Sequence, residues 1–309
     1  MTEHIKRELK RLESEKDIKI LYAVESGSRA WGFASTDSDW DVRFIYVHRP
    51  EWYLSIDDKR DNMEVMLPND LDFAGWELRK TLKLFRKSNP PLLEWLRSPL
   101  IYLEQFSTAE QMRELTTEYF NPRSCTHHYL HMAEGNYRDY LQTDLVRVKK
   151  YFYVLRPILA CKWIESNGTM APMEFQKMVD TQIEDQDLRK EIDNLLDRKK
   201  SGEELDKEPR IQMINDFVES HIKHFNEVVK NYGQDIKPET EKLDNLFRQT
   251  LTEVWKTEIK STKAQQNLRK HGEKRTSNSP RFLANSLPLI NANSSNSCHI
   301  DLYYFLSTS

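Results

Sequence analysis

Asp39 and Asp41 stand two residues apart in the run Ser38-Asp39-Trp40-Asp41-Val42-Arg43-Phe44-Ile45-Tyr46. On an extended strand, side chains at i and i+2 leave from the same face, with Cα atoms ~6.6 Å apart. Val42, Phe44, Ile45 and Tyr46 are residues that strands favour, whereas carboxylates are depleted there, so an acidic pair interrupting an apolar strand asks for a chemical reason. Transfer of a nucleotidyl group supplies one. It is an in-line displacement at phosphorus, in which two divalent ions about 3.5–4 Å apart stabilise the attacking and leaving oxygens. Mg²⁺ takes one or two protein carboxylates besides substrate phosphates, and Asp39 and Asp41 meet that minimum. Upstream, the apolar run Ile20–Val24 stops at Gly27-Ser28, where a small flexible residue and a hydroxyl let backbone N–H groups face a phosphate. A third carboxylate would complete the site and orient the attacking hydroxyl or take its proton. The segment Pro68-Asn69-Asp70-Leu71-Asp72-Phe73 offers it. Asp72, between two apolar residues and just before a helix expected to begin near Gly75, is the first choice, and Asp70 the reserve.

Rival motifs fail on their own terms. Asp37, Asp39 and Asp41 open like a calcium loop, but its sixth and twelfth positions, which need Gly and Glu, hold Val42 and His48. Gly27 and Gly32 have the spacing of a P-loop, yet the Lys and Ser/Thr required next are Phe33 and Ala34. Asp37, within Ser35-Thr36-Asp37-Ser38, reads as a turn residue. His127 and His131 lie one helical turn apart, but the metalloprotease pattern needs Glu where His128 stands, so they read as an ordinary helix face.

The elements that must position these groups follow from periodicity. Ile5, Leu9 and Leu12 mark an amphipathic helix over residues 3–15, and Met63–Leu67 a strand. Leu78, Leu82 and Phe85 mark a helix closed by Ser88-Asn89-Pro90-Pro91. Leu92–Leu96 is a short helical piece and Leu100–Leu103 a last strand, which ends a mixed α/β region near residue 105. From Thr108 the chain reads as helices over 110–120, 123–142, 146–166, 185–200, 209–231 and 239–257, a second, helical domain forming a cleft with the first. The helix 146–164 carries Arg147, Lys149, Lys150 and Arg156, with residues 149, 153 and 156 on one face, suited to the β- and γ-phosphates of a nucleotide or else a solvated basic edge. Arg29, directly after the Gly-Ser turn, is the nearer phosphate candidate; Arg43, on the strand face of Asp41, is placed to orient carboxylates. Trp31, Trp40, Trp76 and Trp95 read as core or cleft wall. Arg198-Lys199-Lys200 with Glu203, Glu204, Asp206 and Glu208 reads as a solvated loop. Residues 277–297, rich in Ser and Asn, read as part of a flexible extension beginning at 259.

The stretches Glu25–Gly32 and Thr36–Tyr46 together resemble the polymerase-β-type nucleotidyltransferase superfamily, and more narrowly the RlaP group associated with RNA repair. Further likeness lies in Leu71–Lys80, in Lys87-Ser88-Asn89-Pro90 with Leu93-Glu94-Trp95-Leu96, and in Lys149–Pro157, and it extends from about Leu21 to Trp255. The resemblance implies an α+β architecture, a polymerase-β-like nucleotidyltransferase domain with a mixed sheet and flanking helices over 1–105, followed by an α-helical domain over 106–258. It implies Ser28 on the nucleotide's phosphates, Asp39 and Asp41 on Mg²⁺ or Mn²⁺, Asp72 as third carboxylate, and a nucleoside triphosphate as substrate. The family label points to an RNA end as acceptor; a protein hydroxyl, a small molecule, or a non-catalytic nucleotide-binding scaffold are the competing expectations.

Bulk properties bound the remainder. A net charge of −3 argues against a strongly basic nucleic-acid coat protein while leaving room for a local basic groove. The three cysteines, Cys125, Cys161 and Cys298, give neither a zinc pattern nor a disulfide framework. The charged N-terminus does not read as a secretory signal, and Arg156, Pro157 and Lys162 interrupt the most apolar stretch. A soluble cytoplasmic protein is expected.

Overall fold

The computed structural model describes residues 1–272 apart from Asn69, Glu204, Asp206 and 234–237, with side chains described as far as Lys256. One compact unit comprises Met1–Ser261, and a second comprises Thr262–Ser309. The expectation of a flexible extension falls largely on residues 273–309, which lie outside the described residues.

Helix α1 (Thr2–Lys16) leads into β1 (Ile18–Glu25), and the one-turn helix α2 (Gly27–Ala30) precedes β2 (Trp40–His48). The hairpin β3 (Asn62–Leu67) and β4 (Leu71–Glu77) follows, then α3 (Leu78–Arg86), α4 (Pro90–Trp95) and β5 (Ile101–Glu104). The sheet order is β3-β4-β2-β1-β5, with β2 and β4 parallel and every other neighbour antiparallel. The chain is thus α+β with a mixed sheet. β1 lies inside the sheet with both faces covered, which is why it reads as a near-continuous apolar run. One face packs against Ile5, Leu9 and Leu12 of α1, using Ile20, Phe44 and Phe73.

The other face, with Leu21, Ile45 and Val47, enters a second core that runs on through the helices. Those helices are α5 (Thr108–Tyr119), α6 (Pro122–Tyr140), α7 (Lys150–Asn167), α8 (Phe175–Gln182), α9 (Gln186–Lys200), α10 (Gln212–Asn231) and α11 (Glu241–Gly272). Most of α7 is buried, so it shows no amphipathic stripe and sits as the centre of the helical region. In α11, Trp255 Nε1 donates to the His48 carbonyl at 3.0 Å, and the Arg49 guanidinium lies 4.5 Å from the Trp255 ring centroid, which fastens the far end of β2.

Several local expectations need correction. No helix begins near Gly75; the strand runs on to Glu77, because a Cβ at residue 75 would fall 2.3 Å from the Phe44 ring and only glycine lets the two strands pack there. Glu77 then caps α3, its carboxylate accepting from the N–H groups of Arg79 and Lys80. The basic helix begins at Lys150 rather than 146, since β6 (Leu145–Arg147) pairs with β7 (Lys207–Pro209). Helix α8 is additional, placed by Phe175 against Phe33 and Phe152. Among the described residues no helix is long and apolar enough to cross a membrane.

Candidate active site

Gly27 opens the site with φ at +62°, a conformation that L side chains rarely adopt. The reason for glycine is steric as well. A Cβ here would stand 2.1 Å from Asp41 Oδ2, so the Gly-Ser turn and the Asp41 carboxylate are built into one another. Ser26 N–H donates to the Asp41 carbonyl at 2.8 Å, which holds the turn against β2. Ser28, half-buried on α2, lies in that turn.

Parallel pairing sets Asp41 directly across from Asp72. A single nitrogen, Arg43 Nη2, joins both, 3.0 Å from Asp41 Oδ1 and 2.9 Å from Asp72 Oδ2. Arg43 Nη1 also donates to the Asp72 carbonyl at 3.1 Å. Burial pushes the Asp41 carboxyl above the usual carboxylate range, Arg43 opposes this, and repulsion from Asp72 and then Asp39 adds to it. Asp39 is exposed and lies one residue ahead of β2. Asp70 sits in the β3–β4 turn with φ at +55°, away from this register.

Beneath Asp41 lies Glu25, which the spacing of motifs did not single out. Its Oε1 accepts the Asp41 N–H at 2.9 Å, its Oε2 accepts the Tyr102 hydroxyl, and its carbonyl accepts the Ser98 hydroxyl at 2.6 Å. Burial lifts its carboxyl to about 7, with the Tyr102 and Asp41 hydrogen bonds opposing. Glu25 therefore fixes the backbone that carries Asp41. The available signal was an acidic residue ending an otherwise apolar strand.

The expected cations divide. Arg29 is committed to the loop, with Nε donating to the Asp39 carbonyl at 3.1 Å, Nη2 to the Ser38 carbonyl at 2.5 Å, and Cζ 3.8 Å from the Trp40 ring centroid. Lys150 lies 4.2 Å above Tyr140 and 4.9 Å above Tyr153. Lys149 is exposed at the start of α7. Arg156 is not brought to the site. It is 5% exposed, its Nη1 donates to Glu94 Oε1 at 2.8 Å, and its Cζ lies 4.5 Å from the Trp31 ring centroid. The stripe 149, 153, 156 is no single wet face, because Tyr153 is 38% exposed while Arg156 is sealed.

Asp41 and Asp72 face each other, with Asp39 two residues before Asp41, and all three carry the oxygen donors that a hard divalent ion takes. Among the described residues no three His, Cys, Asp or Glu side chains are grouped so that they could hold a metal ion. Arg43 Nη2 already bridges Asp41 and Asp72, so an ion held there would have to share or displace it.

The chain matches the RlaP family, described as RNA repair pathway DNA polymerase beta family, over residues 1–249. It is 53% identical over 256 residues to the uncharacterized protein YcgL of Bacillus subtilis, covering 83% of this chain and 98% of that protein. Among solved structures it is similar to a nucleotidyltransferase-like protein from Exiguobacterium sibiricum, at 10% identity and a TM-score of 0.29, covering 74% of this chain and 81% of that one. The assignment rests on the family match, which spans the sheet, the Asp-x-Asp strand and most of the helical region: the chain belongs to the RlaP family and is a nucleotidyltransferase.

Proposed function

We propose that the protein moves a nucleoside monophosphate from a nucleoside triphosphate to the 3′ hydroxyl of an RNA end, with Mg²⁺ or Mn²⁺ and release of pyrophosphate. The observation that carries this reading is the facing of Asp41 and Asp72 across parallel strands, with Asp41 hard against Gly27, where a Cβ has no room. In this proposal residues 1–105 form the catalytic part and 106–258 the helical part, and the setting is the cytoplasm, consistent with the unpaired, buried thiols of Cys125 and Cys161.

The acceptor oxygen forms a bond to the α-phosphorus while the bond from that phosphorus to the bridging oxygen breaks. The electron pair leaves with pyrophosphate, and the hydroxyl proton passes to the Asp72 carboxylate. Bound divalent ions would offset the charge that builds on the phosphoryl oxygens, with Asp39, Asp41 and Asp72 as their ligands. Gly27 and Ser28 present the turn to the phosphates, and Glu25 keeps Asp41 in register. The chain's contribution is positioning and fixed electrostatics.

The test incubates the full chain with each α-labelled nucleoside triphosphate, Mg²⁺, and RNA or protein acceptors. Label on an RNA 3′ end, abolished by Asp41→Asn, is the expected result. Label only on protein or a small molecule removes the RNA acceptor, and no transfer to anything under either metal removes the enzymatic reading of these residues.

A further inference from the structure

The Arg198-Lys199-Lys200 run at the end of α9 does not behave as one solvated face. Arg198 turns to Glu203 and Glu208, whereas Lys199 turns inward and is 9% exposed. Its Nζ donates to Ser35 Oγ at 2.7 Å. Ser35 Oγ lies 3.0 Å from Ser38 Oγ, and the Ser38 carbonyl receives Arg29, so a single network ties α9 to the loop between the Gly-Ser turn and Asp39.

An ammonium taken out of water wants a counter-ion, and a neutral hydroxyl is a poor one. Among the described residues no carboxylate is within ion-pair distance of Lys199 Nζ. The group is held below the usual lysine range, by burial first and by repulsion from Lys149 second, with Asp37 and Asp39 drawing it back. Lys199 near the end of α9 and Lys149 capping α7 thus sit within electrostatic reach of each other, and Lys199 within reach of Asp39. Such an arrangement costs stability in the empty protein and is relieved by a polyanion.

We propose that Lys199, with Lys149, binds the terminal phosphates of the triphosphate and stabilises the pyrophosphate as it leaves, Ser35 holding the ammonium in place until the phosphates arrive. This rests on the nucleotidyl-transfer reading above. Charge accumulates on the departing phosphates as the bond to the α-phosphorus breaks, which is where a prepositioned cation acts most.

The test measures binding of the four nucleoside triphosphates, their monophosphates and inorganic pyrophosphate to the full chain by calorimetry, with Ca²⁺ present to slow turnover. Lys199→Met should weaken the preferred triphosphate and pyrophosphate about tenfold or more and leave the monophosphate unchanged, and Lys199→Arg should restore most of the loss. Should Lys199→Met fail to fold by thermal melting, the exposed Lys149→Ala carries the test with the same selective loss. Undiminished triphosphate affinity, or equal loss for mono- and triphosphate, overturns the assignment of Lys199. Absence of triphosphate binding by the unaltered protein removes the nucleotidyl-transfer reading, and this inference with it.

Discussion

Among the arginines that hold carboxylates in this protein, Arg156 and Arg43 differ most in what bears on chemistry. Arg156 faces one acid, Glu94, with side-chain exposures of 6% and 10%; the Tyr129 hydroxyl donates to the same carboxylate oxygen at 2.5 Å, and Trp31 covers the guanidinium. Arg43 faces two acids, Asp41 and Asp72, with exposures of 19%, 28% and 33%. The first assembly is balanced in charge and closed. The second sets two carboxylates against one guanidinium and opens to water, which under the proposed function is what would admit a further cation. Stoichiometry and access, rather than residue type, separate the ion pair that joins α7 to α4 from the cluster proposed to do the chemistry.

The comparison breaks most clearly at Asp41. Asp41→Asn should lower transfer by at least about a thousandfold, since the group acts only where charge develops in the transition state, and should leave the melting temperature nearly unchanged. Calorimetric stability equal to the parent with full turnover would put the chemistry elsewhere. Arg156→Ala is the converse experiment. Leaving Glu94 buried and unpaired should cost about 3–5 kcal/mol in chemical denaturation, and a loss under about 1 kcal/mol would mean the sealed pair is not structural. Arg43→Gln should change stability by no more than about 1 kcal/mol yet tighten Mn²⁺ binding, followed by electron paramagnetic resonance, because the ion no longer competes with a resident guanidinium. Weaker Mn²⁺ binding would show Arg43 to be a support for the carboxylates rather than a competitor.

The smallest effect asks whether acid sensitivity belongs to either arginine. His48 stacks on Trp52 at 4.2 Å, and burial, then Lys59, hold its imidazole down to about 4, with Asp17 opposing. The unfolded chain protonates this group near 6.5, so between those values it binds more protons than the folded chain, and stability falls as pH drops from about 6.5 toward 4. His48→Gln should flatten melting temperature against pH in that window. An unchanged slope would shift the acid sensitivity to the carboxylates.

Local chemistry made the acidic strand legible, because a carboxylate pair in an apolar run and a Gly-Ser turn are each unusual without their neighbours. The alternation Leu71-Asp72-Phe73 likewise set Asp72 on a defined face. What could not be read was which face of a mostly buried helix looks where. Arg156 and Lys149 share a basic segment, and only the packing of Glu94 and Trp31 shows that one is interior. Lys199 was hidden for the same reason, its direction being set by Ser35, far away in the chain. Gly75 misled because glycine marks turns and close approaches alike, and the Phe44 ring across the sheet decides between them.

The indole clasp on the His48 carbonyl joins positions separated by 207 residues. Translation delivers the acidic strand first and the clasp only 207 residues after His48. A ribosome-bound chain therefore carries its carboxylates without that clasp until Trp255 has been added and the helix bearing it can dock.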